Sequence, residues 1–306
     1  MDTHALADQR STFSSKGVWL VALGAAFWGL GPLFRVLVLE YLTSTQIVLL
    51  EHLVLLVFAA PIVWKHRAEL KGANWKHWGA LLFVSWGGSV MATIMFTEAF
   101  ATGNVNTVLL LQKLQPLFAV ILARFLLKEK LPNRFGYLLA VALIGTYLLT
   151  FGWSLPQGMV NEVVGVSSLL ALGAALLWGG STVMGRFMLD KMQYETVTAL
   201  RFLLALPLLF VFTWSENASW KVPPEQYGSI TFYIILQAVL LGLFSILLYY
   251  RGLSETKASY ATLAELSFPL VGMMMNWIVF NQVVTIAQLS GFVLIWIALF
   301  YVSRQQ

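Results

Sequence analysis

Along its 306 residues the chain alternates between long apolar runs and short polar breaks. A bilayer core is crossed by about 20 apolar residues of helix. Ten such runs are read at 17–39, 44–64, 78–100, 104–127, 134–152, 165–188, 194–214, 230–252, 258–280 and 284–303. They are continuous and lack the ten-residue alternation of a porin strand. Helices satisfy their own backbone hydrogen bonds in lipid, so the pattern predicts an all-α polytopic membrane protein. The first run is too long and too polar-flanked for a cleavable signal peptide, and residues 1–16 read as a short cytoplasmic tail.

The pattern also repeats. Thr97-Glu98-Ala99-Phe100 through Pro116-Leu117-Phe118 lies over Tyr250-Arg251-Gly252-Leu253 through Pro269-Leu270-Val271, an offset of 153 residues. Ala22 through Trp28-Gly29 recurs as Ala171 through Trp178-Gly179, one residue longer. A long-period repeat of this kind predicts a duplicated unit. The expected division is a first five-helix repeat at 17–152 and a second at 163–303, joined in one membrane domain. Lys and Arg cluster at 65–76, 124–134, 186–191 and 251–257, while the alternate loops hold only Lys221. That bias predicts both termini, the 65–77 loop and the 124–134 loop in the cytoplasm, with 153–162 and 215–229 outside. Five helices per copy is odd, so the second copy is expected to cross in the opposite sense. Inverted 5+5 repeats are an architecture of secondary carriers, whose substrate site lies near the midplane between the halves.

Composition agrees and narrows the chemistry. The chain is 59% hydrophobic and 11% charged, with a mean hydropathy of +0.77. Soluble domains are about 45–50% apolar. The net charge of +5 lies in loops between apolar runs, where it sets topology and gives no reason to expect nucleic acid. The absence of cysteine excludes disulfides, thiolate metal sites and cysteine catalysis. No cofactor and no metal site are expected.

Ionisable residues inside the runs are then the informative ones, because each is costly at membrane depth unless it faces protein or water. They are Arg35, Glu51, His52, Glu98, Lys113, Arg201 and Glu265. Arg35 and Glu98 read as snorkelling groups near helix ends. Lys113 is the deepest, flanked by Gln112 and Gln115, and the repeat places Glu265 over Gln112. Both clusters should converge near the pseudo-two-fold axis, either as a Lys113–Glu265 salt bridge that staples the halves or as direct substrate contacts. Glu51 and His52 are the candidates for proton coupling, and Arg201 lies at Glu51's position in the second copy. Pro116 and Pro269 are candidate hinges, since each frees a carbonyl one turn earlier. Trp28 and Trp178 sit too deep for interfacial anchors and are candidate walls of a substrate site. Ala25/Gly29 and Ala175/Gly179 are small-residue pairs suited to close helix contact.

The Trp-Gly pairs, Arg201, Pro116 followed by Leu126-Leu127-Lys128-Glu129, Gly136 and Gly145, and the two-fold plan resemble the EamA family of the drug/metabolite transporter superfamily. That resemblance implies a ten-helix carrier of small metabolites, often an exporter of amino acids, with the fifth and tenth helices peripheral. The chain departs from the repeat at Glu51-His52 against Arg201, and at Asn281-Gln282 against Lys128-Glu129.

Three functions are weighed. A carrier working by alternating access in the bacterial cytoplasmic membrane is expected, most simply an exporter of a zwitterionic amino acid or related metabolite. Its partners would be the small substrate, the lipid bilayer and protons, as a monomer or weak homodimer. A multidrug or other metabolite permease of the same fold is the alternative. A membrane-embedded enzyme is the more remote one, because Glu51, Glu98 and Glu265 lie on three different helices without ligand spacing.

Overall fold

A computed structural model describes residues 14–103, 105–131, 134–154, 165–280 and 283–305, and all regular structure among them is helical. Most of the expected tail, the predicted outer loop around Asn161 and the Asn281-Gln282 pair lie outside the described residues.

The first half contains α1 (Ser15–Trp28), α2 (Gly31–Leu39), α3 (Ser44–His66), α4 (Trp75–Leu82), α5 (Ala92–Thr102), α6 (Val105–Gln112), α7 (Gln115–Leu126) and α8 (Phe135–Phe151). The second contains α9 (Val166–Leu189), α10 (Tyr194–Glu216), α11 (Tyr227–Leu236), α12 (Ser245–Ser254), α13 (Ala258–Ala264), α14 (Phe268–Phe280) and α15 (Ile286–Ser303). Three helix starts carry reciprocal capping boxes: Thr43 with Gln46, Asn74 with His77 and Thr285 with Gln288.

Among the described residues six helical stretches are long and apolar enough to cross a membrane: Ser44–Gly72, Trp75–Ala99, Val166–Leu189, Tyr194–Glu216, Pro224–Ser254 and Ile286–Ser303. The other four predicted runs are not single long helices. α8 has 17 residues, and three runs are interrupted, at Gly29-Leu30, at Lys113-Leu114 and by a 3₁₀ turn over Glu265–Ser267. Pro32, Pro116 and Pro269 each fall in the first turn after the interruption. Proline lacks an N–H and suits the first turn of a helix, so the helix restarts there instead of bending through. Two further irregularities match across the halves. α4 passes into α5 through a π-helical turn, Phe83–Met91, and α11 into α12 through another, Gln237–Phe244.

Packing respects the same two-fold relation. α3 lies on α10 and α8 on α15, each with its own counterpart; α1 packs on α12 as α9 packs on α5; and α1 runs along α13 and α14 as α9 runs along α6 and α7. The resulting core mixes both halves, with Leu55, Leu81 and Phe135 beside Tyr250, Tyr260 and Ile295. The outside is apolar: Val57, Phe125 and Ile286 are 69%, 75% and 82% exposed. So much apolar surface suits lipid and not water. Exposed Trp64 and Trp214, 150 residues apart near the ends of α3 and α10, fit an interfacial belt. The protein is a multi-pass membrane protein.

Candidate functional site

The two proline-linked interruptions meet. At the end of α6, Gln112 donates from Nε2 to Gln115 Oε1 at 3.2 Å. Gln115 in turn donates to Glu265 Oε2. The other carboxylate oxygen, Oε1, accepts from Tyr249 at 2.7 Å and Thr182 at 2.9 Å, and those two hydroxyls lie 2.8 Å apart. Gln112, Thr182, Tyr249 and Glu265 are all buried, and Gln112 Oε1 is a buried acceptor without a donor. A chain of side-chain hydrogen bonds thus crosses between the halves at the breaks in both.

Lys113 belongs to the same break but makes no ion pair with Glu265. Its Nζ lies 3.6 Å from the centre of the Phe268 ring, a cation–π contact. The Glu265 carboxylate is held by three other donors, and Phe268 stands one turn beyond it, so the expected staple is replaced by a lysine on an aromatic face.

Two aromatic pairs adjoin this chain, one through Tyr249 and one through Gly179, which lies against the Gln115 carbonyl. Trp28 lies 5.3 Å from Tyr249, and Trp178 lies 5.0 Å from Phe96 in an edge-to-face contact. Tyr249 and Phe96 are 153 residues apart, so these are repeat-related pairs with one hydroxyl of difference. Trp178 also donates from Nε1 to the carbonyl of Gly88, inside the first π turn. The glycine after each tryptophan seats the pair: a Cβ on Gly29 would collide with the carbonyl oxygen of Phe268, and one on Gly179 with that of Gln115. Each of those carbonyls belongs to the residue before Pro269 or Pro116. Only glycine lets α1 and α9 approach the interruptions so closely.

The remaining candidates stand apart from that chain. Glu51 accepts from Arg35 through both oxygens, at 2.8 and 3.1 Å. Arg35 is therefore not a free snorkelling group; a carboxylate one helix away holds it part-buried. His52 turns from Glu51, as adjacent helix positions must. Its Nδ1 lies 2.8 Å from the Val48 carbonyl oxygen, and its ring meets Phe202, its own repeat mate, edge-on. Arg201 donates to Ser89 Oγ at 2.6 Å and to the Tyr250 hydroxyl at 3.1 Å. Glu98 is exposed at the end of α5. Pro116 and Pro269 sit in the first turns of α7 and α14, directly below the polar chain. Among the described residues no group of three His, Cys, Asp or Glu side chains could hold a metal ion.

Sequence reasoning overlooked Thr182, Tyr249, Phe96 and Phe268, which complete the cluster. Two adjacent tyrosines, 249 and 250, in an apolar helix were the available signal, because a buried phenol needs a partner. It also missed Glu129. That carboxylate accepts from the backbone N–H of Ala258 and Ser259 and from the Ser259 hydroxyl, capping α13 from the loop after α7.

A helical membrane protein of two related halves, with a buried polar chain and aromatic walls where they meet, has the form of a small-molecule carrier. The EamA-like transporter family matches residues 15–151 and 166–304, and the chain belongs to that family. It is 32% identical over 296 residues to a riboflavin transporter, ImpX, of Fusobacterium nucleatum, covering 94% of this chain and 98% of that one. It is 26% identical to the uncharacterized transporter YwfM of Bacillus subtilis over 92% of each. One solved crystal structure superposes with a TM-score of 0.73 at 16% identity, covering 96% of this chain and 99% of the other; at that identity the likeness concerns the fold alone.

Proposed function

We propose that the protein is a secondary carrier, not an enzyme, that moves a flat heteroaromatic metabolite of the flavin class across the bacterial cytoplasmic membrane. Ten membrane passages in two inverted five-helix repeats, 17–152 and 163–303, with both termini cytoplasmic, give the alternating access it needs. Trp28 and Trp178 would stack the ring system, Gln112 and Gln115 would read its polar edge, and Glu265, Lys113 and Arg201 would set the charge of the site. Pro116 and Pro269 would be the hinges about which the halves rock.

One observation carries this reading. Two repeat-related aromatic pairs lie beside the hydrogen-bonded chain that ends in a buried amide whose Oε1 has no donor among the described residues. An isoalloxazine offers large flat faces, an imide N–H for that acceptor and carbonyl oxygens for nearby donors. The identity to a protein named as a riboflavin transporter supports the same class. A zwitterionic amino acid is served less well, because Glu265 is already occupied by Gln115, Thr182 and Tyr249.

The test is flux of radiolabelled riboflavin in proteoliposomes beside a panel of labelled amino acids, in both directions and with and without a pH gradient. Saturable riboflavin counterflow is expected. Amino-acid flux without riboflavin flux would return the substrate to the amino-acid class. Glu51 and His52 are proposed as the coupling groups, so Glu51→Gln or His52→Gln should keep counterflow and lose acceleration by a pH gradient. Wild-type flux that ignores the gradient would make the carrier a facilitator.

A further inference from the structure

Away from the helix ends, and so leaving out Glu98, which is exposed near the end of α5, the described cations and carboxylates do not balance. Arg35 is matched by Glu51 at 2.8 Å. Arg201 donates to two hydroxyls, those of Ser89 and Tyr250. Lys113 is left over. It is 6% exposed, its Nζ lies on the face of Phe268, and among the described residues it makes no ion pair or hydrogen bond. With each group in its ordinary ionised form, the set Arg35, Glu51, Lys113, Arg201 and Glu265 carries one positive charge in excess.

An ammonium out of water needs a counter-charge or acceptors for its three protons, and a ring face offers neither acceptors nor a full charge. Glu265 is turned instead to Tyr249, Thr182 and Gln115. The fold does not require a cation here either, because the repeat places Leu266 at the position of Lys113 and that leucine is buried in a matching break. The lysine is therefore an addition of one half only, at the level of the unfilled Gln112 acceptor.

We infer that Lys113 is an anion subsite: the transported molecule carries an anionic group, a carboxylate or phosphate, that displaces the Phe268 ring as the partner of Nζ. The inference rests on the flat-ring reading above and adds to it the charge of the cargo. On binding, the excess charge of the membrane interior is neutralised, which lowers the cost of carrying the loaded site across the midplane.

The test is displacement of radiolabelled riboflavin from the purified full-length carrier by two flavins of equal ring, one bearing a carboxymethyl and one a hydroxyethyl group at N10. The carboxylate should displace at a concentration lower by about tenfold, as expected for one charge-assisted contact in a dry site. Lys113→Met should abolish that ratio and Lys113→Arg restore it. Equal displacement by the two flavins in wild type would overturn the inference while leaving the flat-ring reading intact; so would a ratio that survives in Lys113→Met, since the anion is then met elsewhere. If riboflavin does not bind at all, the flat-ring reading falls, and thermal stabilisation decides the inference. Small carboxylates and phosphate should then stabilise the wild type but not Lys113→Met, and equal response of the two proteins would overturn it.

Discussion

The two halves share a backbone and differ in chemistry. Both have a glycine seated on the residue before a proline, a π turn in the third run, an interruption before the proline and a tryptophan against an aromatic ring. What fills that frame is not shared. The second half contributes Thr182, Tyr249 and Glu265, a carboxylate with two hydroxyls; at the matching positions the first has Pro32, Phe96 and Gln112. The first half in turn supplies Lys113 and Gln115 where the second has Leu266 and Phe268. Duplication preserved what bends and packs, and divergence fell on what touches other polar groups. The lesson is that the helix breaks and the polar contacts are set by different residues of the same stretch.

The contrast is broken most directly at its anchor. Glu265→Leu removes the acceptor shared by buried Thr182 and Tyr249 and part-buried Gln115 and should cost about 3–5 kcal/mol, from roughly 1–3 for each bond lost. Gln112→Leu, its counterpart, removes a single hydrogen bond and should cost about 1 kcal/mol. Thermal unfolding of the purified variants checks the difference, and equal losses would erase the asymmetry. Next in size is the single hydroxyl between the aromatic pairs. Tyr249→Phe should cost about 1.5–3 kcal/mol, the range for a hydrogen bond to a charged group. Tyr249→Phe with Phe96→Tyr should not recover it, because Gln112 is a neutral amide. A double mutant as stable as wild type would show that either half can host the hydroxyl.

A smaller effect separates the tryptophans. Trp178→Phe loses the bond to the Gly88 carbonyl and should cost about 1 kcal/mol more than Trp28→Phe, whose indole makes no hydrogen bond among the described residues. Smallest is Thr43→Ala, which removes the cap on α3 and the bond to Glu216 near the surface; about 1 kcal/mol or less is expected, with turnover unchanged in a flux assay.

Much of the frame was legible because it is periodic. The offset of 153 residues picks out Pro116 and Pro269, and run lengths give helix positions to within a few residues. That the prolines start new helices instead of bending old ones was not legible, since a proline's sequence position does not tell whether the preceding turn stays closed. Side-chain partners were harder still. Arg35 finds Glu51 and Tyr249 finds Glu265 on neighbouring helices, both 16 residues away. Which faces of two helices meet depends on their rotation about their own axes, and a nearly all-apolar helix carries little amphipathic signal to fix it. Lys113 shows the same limit: its depth was readable, but not that Phe268 would stand where a carboxylate was expected.

The paired π turns make each of those rotations depend on a single residue. Each residue of an α-helix advances the azimuth by about 100°, and a π turn takes up extra residues in one turn before the α-helix resumes. Phe96 lies a few residues beyond the first such turn, and Tyr249 a few beyond the second. Both are thus in phase with Trp178 and Trp28 only because the turn upstream is wide. Deleting one residue anywhere in 83–91 would leave composition and hydropathy nearly as they are, yet it would swing Phe96 about a quarter of the way round its helix and away from Trp178. The two turns act as phase settings for the aromatic walls, which makes loop-like sensitivity to length a property of the middle of a membrane helix.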